Sequence, residues 1–214
     1  MIVVFGGTFD PVHRGHENMA KHAVSALSAD ALYFMPCALP VHKAAPGVTT
    51  QHRVEMLKLV CQSNASFHID TRELERTTPS YSLLSIQQWR DANPEEPIAF
   101  LLGMDSFNNL TSWYHWQTLV RLCHIVVYQR PGESFLPNQE LQDYVYRCQA
   151  ESPEQLTKQT SGHCYFLAGP TVDIASSALR SRLGRDEATD LFLSQEVLAY
   201  INQHGLYTEN PKST

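Results

Sequence analysis

The stretch Ile2-Val3-Val4-Phe5-Gly6-Gly7-Thr8-Phe9-Asp10-Pro11-Val12-His13-Arg14-Gly15-His16 decides the fold. It opens on a continuous apolar run, the pattern of a strand buried on both faces of a parallel sheet rather than of a half-exposed one. Two glycines then let the backbone turn sharply and come close to a ligand. An apolar-periodic stretch from about His16 to Leu27 begins a helix. A helix starting at a strand's carboxyl end presents free N–H groups and the positive end of its dipole, so this junction is expected to attract phosphate. The sequence places two imidazoles there, His13 and His16, with Gly15 leaving room between them.

Outward from this unit, similar apolar runs recur at Ala31–Pro36, Ile98–Leu102, His124–Tyr128 and Tyr165–Leu167. Helical stretches separate them at Gln51–Cys61, Tyr81–Ala92 and Trp113–Leu122. The alternation predicts an α/β fold: a doubly wound parallel sheet with helices on both faces, right-handed crossovers and a ligand site beyond the carboxyl ends of the strands. The segment of about 132–162 breaks the rhythm. Leu141, Tyr144, Val145 and Cys148 keep helical spacing within it, so it reads as an inserted helix with loose flanks. A small helical portion over about 176–207 closes the chain, its last helix opened by Ser194 and stopped by Gly205.

With 214 residues, 43% of them hydrophobic, the chain can bury one sizeable core, and a single domain is expected. The balance of 16 Lys+Arg against 22 Asp+Glu, net −6, argues against a duplex nucleic-acid binder. Cys37, Cys61, Cys123, Cys148 and Cys164 are scattered without a C-x-x-C pair, so they read as reduced packing thiols. No apolar run approaches the ~20 residues of a membrane span, and the amino terminus has no basic leader, which predicts a soluble cytoplasmic protein.

Phosphoryl and nucleotidyl transfer relies on positioning and on stabilising charge at the transferred phosphate, a role that histidine donors suit. Neither a P-loop nor a G-x-G-x-x-G opens the first helix, so the histidine pair stands in their place. Ser176, Ser177 and Arg180 have the spacing to meet one anion from a helix start, or else to form an ordinary N-cap beside a solvated arginine. Trp113 and Tyr114 offer either a stacking face or core packing. Asp105 suits a ribose hydroxyl or a helix N-cap, and Arg53 a phosphate or the support of a loop.

The stretch Gly6–His16 closely resembles the amino-terminal signature of the H-x-G-H nucleotidyltransferase superfamily, and within it the bacterial nicotinate mononucleotide adenylyltransferases. Pro40-Val41-His42-Lys43, Pro79-Ser80-Tyr81-Ser82, Gly103-Met104-Asp105-Ser106, Trp113-Tyr114, Arg130-Pro131-Gly132 and Ile174-Ala175-Ser176-Ser177-Ala178-Leu179-Arg180 continue the likeness in the family's order. The family commonly has proline where Val41 stands and serine or threonine where Ala175 stands.

The resemblance implies a Rossmann-like fold and transfer of the adenylyl group of ATP to nicotinate mononucleotide, with His13, His16 and Arg180 carrying the chemistry. It implies ATP contacts at Gly6, Gly7, Thr8, Phe9, Gly15, His42 and Lys43, and further along at Gly103, Asp105, Ile174, Ser176 and Ser177. Nicotinate mononucleotide would meet Gly7, Thr8, Phe9, His42 and Lys43 together with Tyr81, Ser82, Trp113, Tyr114 and Arg130. Mg²⁺ would ride mainly on the substrate phosphates rather than in a protein cage. The partners implied are these small molecules, with no nucleic acid and no membrane, and a monomer or homo-oligomer. The alternatives are a sister enzyme that adenylylates phosphopantetheine or uses CTP, and a nucleotide-sensing module without turnover.

Overall fold

The computed structural model describes residues 1–38, 47–76, 79–170 and 174–208. The strands are β1 (Ile2–Gly7), β2 (Ala31–Pro36), β3 (Phe67–Ile69), β4 (Ile98–Gly103), β5 (His124–Gln129) and β6 (Cys164–Ala168). Between and after them run α1 (Arg14–Ala26), α2 (Thr50–Gln62), α3 (Ser82–Ala92), α4 (Met104–Asn108), α5 (Trp116–Leu122), α6 (Gln139–Cys148), α7 (Pro153–Leu156), α8 (Ser176–Gly184) and α9 (Gln195–His204). All strand pairs are parallel, in the order β3-β2-β1-β4-β5-β6. The winding reverses between β1 and β4, and a crevice at such a switch point is where ligands of doubly wound sheets bind.

Successive strand residues alternate between two cores because the side-chain period of a strand is two. Val3, Phe5, Leu32, Phe34, Ala99 and Leu101 pack with α1, α2, α8 and α9 on one face. Val4, Met35, Ile98, Phe100 and Leu102 pack with α3, α4, α5 and α6 on the other. Both faces are therefore apolar, which is why these strands read as unbroken hydrophobic runs.

Several local expectations need correction. β3 has no counterpart in the sequence reading, since three residues are too short for a periodicity test. The helix expected from Trp113 begins only at Trp116, because Trp113 is extended (φ −78, ψ 149) and His115 is left-handed (φ 47). The first helix starts at Arg14, two residues earlier than expected, with His13 as its cap. The inserted segment holds two helices, α6 and the short α7, where one was expected. Ser194 and Gly205 cap α9 as expected, the glycine at φ 58.

Helix α8 begins differently. Its N-cap is Ala175, in extended conformation with no side-chain bond to the first turn. A hydroxyl there would satisfy one of the orphan N–H groups. Ala175→Ser is therefore expected to stabilise the protein by about 0.5–2 kcal/mol. In a chain of this size that is a rise of roughly 2–6 °C in thermal midpoint, and an unchanged or lower midpoint in a melting experiment would refute it.

Candidate active site

The loop after β1 is shaped by one inward-turned ring. Phe9 adopts φ 50 and is 1% exposed, lying edge-on to Phe5 and Phe34 and against the His16 ring. A left-handed bulky residue costs about 1–3 kcal/mol, and full burial of a phenylalanine offsets this by about 1.5–3 kcal/mol, so the strained turn is held by its own core contact. The ring occupies the space over Gly7, where a Cβ would lie 2.8 Å from Phe9 Cζ. Below the turn, the fully buried Arg53 donates from Nη1 to the Thr8 carbonyl at 2.8 Å and from Nη2 to Thr50 Oγ1 at 3.1 Å. The Phe9 ring is thus committed to the core, and Arg53 supports the turn rather than reaching a phosphate.

The two imidazoles cap α1 reciprocally. His13 Nδ1 accepts from the Gly15 N–H at 3.1 Å, and His16 Nδ1 accepts from the His13 N–H at 3.3 Å. The rings lie 3.8 Å apart at 32°. A ring nitrogen that accepts carries no proton, so the N–H of each neutral ring is on Nε2, the side away from the backbone that Nδ1 binds. Burial, and secondarily the charge of Arg130, push the His13 pKa down to about 4, so this ring is neutral at physiological pH.

The sequence reading expected free backbone donors at this helix start, and that expectation is corrected. Arg14 N–H goes to Phe192 O, Gly15 N–H to His13 Nδ1, and Glu17 N–H to His13 O. His13 also takes the backbone N–H of His16 in the capping box. The first turn is satisfied internally, so an anion here meets imidazole N–H groups and the helix dipole rather than open amides.

Helix α8 docks on the same loop. Ser176 Oγ donates to Pro11 O at 3.3 Å, and Arg180 Nη1 donates to Asp10 O at 2.7 Å. Residues four apart share a helix face, so this pair reads two successive carbonyls. Ser177 is exposed, Ile174 is buried in the core, and the N-cap alternative fails for both serines because Ala175 holds that position.

Asp10 escaped the sequence reading as a site residue. It is 2% exposed. Its Oδ2 accepts the Gly47 N–H at 2.6 Å and lies 3.5 Å from Arg180 Nη1, while Oδ1 accepts the Tyr207 hydroxyl at 2.7 Å. Burial first, then the charge of Asp10, push the Tyr207 pKa up, so the phenol remains a donor. Arg130 stands just beyond β5, where it pairs with Glu133 at 3.1 Å.

On the opposite face of the sheet, Ser80, Tyr81, Ser82, Trp113 and Tyr114 line a small pocket of about 70 Å³ with Leu83 and Leu119. Tyr81 and Tyr114 stack on each other at 4.5 Å and 29°. Trp113 is half-buried and packs toward Phe100 at 6.3 Å. Trp89 and Trp116 are core residues, the former donating to Asp70 Oδ2 at 2.8 Å. Gly103 ends β4 with open space where a Cβ would stand. Asp105 is exposed in the first turn of α4, whose N-cap is Gly103, so its alternative role as a cap is excluded. His42 and Lys43 lie outside the described residues.

A cytidylyltransferase-like family model matches residues 4–182. A protein of Shewanella frigidimarina named "Probable nicotinate-nucleotide adenylyltransferase" is 38% identical over 208 residues, covering 96% of this chain and 99% of its own length. The chain belongs to the nicotinate-nucleotide adenylyltransferase family. A Salmonella gallinarum protein of the same name is 34% identical, with 95% of this chain and 97% of that one covered. Among solved structures, the nicotinic acid mononucleotide adenylyltransferase of Plasmodium falciparum, complexed with NaAD, superposes with a TM-score of 0.73 at 19% identity, covering 96% of each chain. At that identity the superposition bears on the fold, and it matches the Rossmann-like α/β sheet described above.

Proposed function

We propose that this chain transfers the adenylyl group of ATP to nicotinate mononucleotide, giving nicotinate adenine dinucleotide and pyrophosphate in NAD biosynthesis. The observation that carries the reading is the pair of imidazoles 3.8 Å apart that caps α1 at the switch point of the sheet, each engaged with the backbone through Nδ1 so that Nε2 is left to carry the proton. A phosphate oxygen of nicotinate mononucleotide attacks the α-phosphorus of ATP. As that P–O bond forms, the bond to the β-phosphate oxygen breaks and pyrophosphate leaves with the electron pair. His13 and His16 donate to the charge that grows on the α-phosphate, and Arg180 with Ser176 and Ser177 meets the departing phosphates. His42, Lys43 and the amides of Gly7 and Thr8 complete this reading of the phosphate site, and Gly103 and Asp105 take the ribose side.

No protein nucleophile is required, because the acceptor's own phosphate supplies one. Mg²⁺ supplies charge neutralisation on the triphosphate when bound. It prefers phosphate and water oxygens, so the substrate phosphates would hold it. The pyridine ring is assigned to the pocket of Tyr81, Ser82, Trp113 and Tyr114, where backbone N–H groups meet its carboxylate. Arg130 takes the phosphate of the same substrate. The chain works as one domain in the cytoplasm; none of its described helices is long and apolar enough to cross a membrane.

Pyrophosphate release from ATP, measured with nicotinate mononucleotide, phosphopantetheine or no acceptor, tests the reading. Release with the first alone supports it. Release with the second points to a sister enzyme, and tight ATP binding without release points to a sensor. Trp113→Ala is expected to raise the KM for nicotinate mononucleotide by roughly 10-fold, the loss of ~1–3 kcal/mol of ring contact, with little change in the KM for ATP. The opposite pattern would move Trp113 to the ATP side.

A further inference from the structure

The carboxyl-terminal turn reaches the phosphate side of the site across most of the chain length. Tyr207 follows α9, and its hydroxyl is bound to Asp10 Oδ1 at 2.7 Å, a contact spanning 197 residues of sequence. Asp10 sits where four segments meet: the loop that carries His13, the start of the α2 arm at Gly47, helix α8 through Arg180, and this turn. Its carboxylate has almost no solvent, so each oxygen needs a protein donor. Gly47 N–H serves Oδ2 and Tyr207 serves Oδ1. With both oxygens supplied, the guanidinium of Arg180 bonds to the Asp10 carbonyl at 2.7 Å and meets the carboxylate only as a long ion pair, Nη1 to Oδ2 at 3.5 Å.

We infer that Tyr207 is a positioning residue for adenylyl transfer: by occupying Oδ1 of Asp10 it holds the Arg180–Asp10 pair to that single long contact and leaves more of the guanidinium's charge for the ATP phosphates. The inference rests on the proposed reading of the site, in which Arg180 meets those phosphates. Removing the hydroxyl leaves a buried carboxylate oxygen without a donor, and Arg180, already 3.5 Å from Oδ2, is placed to serve it by closing onto the carboxylate. A guanidinium drawn onto Asp10 then competes with phosphate binding. The signature is charge competition, which a loss of packing does not produce.

Tyr207→Phe keeps the ring and is expected to weaken ATP binding, read by calorimetry and as KM for ATP, by about 10-fold with kcat within about threefold of wild type. In an Arg180→Ala background the same change should move the ATP dissociation constant by less than about twofold, because the two residues act through one contact. Adding Asp10→Asn to Tyr207→Phe removes the competing charge and should recover most of the lost affinity. Should Tyr207→Phe not fold, Asp10→Asn alone decides, with ATP bound at least as tightly as by wild type expected. Equal losses in the wild-type and Arg180→Ala backgrounds, no recovery with Asp10→Asn, or a lowered melting temperature with unchanged ATP binding would overturn the inference. Failure of the wild-type protein to form dinucleotide would instead overturn the proposed function, and the binding measurements keep the two outcomes apart.

Discussion

His16→Ala is expected to lower turnover by about 10²–10³-fold, the loss typical of one charge-stabilising donor in a group-transfer site. The structure adds a control. His16 Nδ1 also accepts the His13 N–H, so alanine removes a helix-cap contact as well as the outward donor. Loss of a cap costs about 0.5–2 kcal/mol of stability, which leaves a protein of ordinary stability folded and lowers its melting point by only a few degrees. A near-normal circular dichroism spectrum with a turnover loss of this size places the effect in the chemistry. A loss under tenfold would contradict the role given to His16, and so would a loss matched by unfolding.

Arg53→Ala should have the largest effect on stability. The side chain is fully buried, and its two bonds reach the Thr8 carbonyl and Thr50. Truncation opens a cavity and leaves a partly buried carbonyl without its donor, together about 3–5 kcal/mol. That is large against the 5–15 kcal/mol by which such proteins are stable. Arg53 has an unpartnered Nε and no ion pair among the described residues, so part of this cost is offset by removal of a poorly satisfied cation. The lower half of the range is therefore expected, a midpoint lower by roughly 6–15 °C. Because Thr8 leads into the left-handed Phe9, kcat/KM should fall as well, even below the melting transition. A midpoint within 2 °C of wild type would show that Arg53 does not hold the turn.

How much of this was legible beforehand depends on the range over which each feature acts. The five longer strands were legible because both faces are buried, so Ile2–Phe5 and Ile98–Leu102 carry no polar interruption. β3 was not, being three residues with an exposed His68 between Phe67 and Ile69. The turn at Trp113 was hidden because a left-handed His115 leaves no Gly or Pro as a mark. The histidine pair was legible as a motif at a strand-to-helix junction. Its reciprocal capping was not, because His is an unusual cap residue and the usual Ser, Thr, Asp or Asn is missing. Asp10 stood within the decisive stretch, yet its importance comes from Gly47, Arg180 and Tyr207, partners that only folding brings near.

The most direct test follows the phosphorus. With ATP labelled at the α-phosphate, incubation with nicotinate mononucleotide and Mg²⁺ should move the label into a dinucleotide in step with unlabelled pyrophosphate, leave none on the protein, and require intact His16. Label found on the protein, label released as AMP, or equal transfer when the acceptor is omitted would contradict the account.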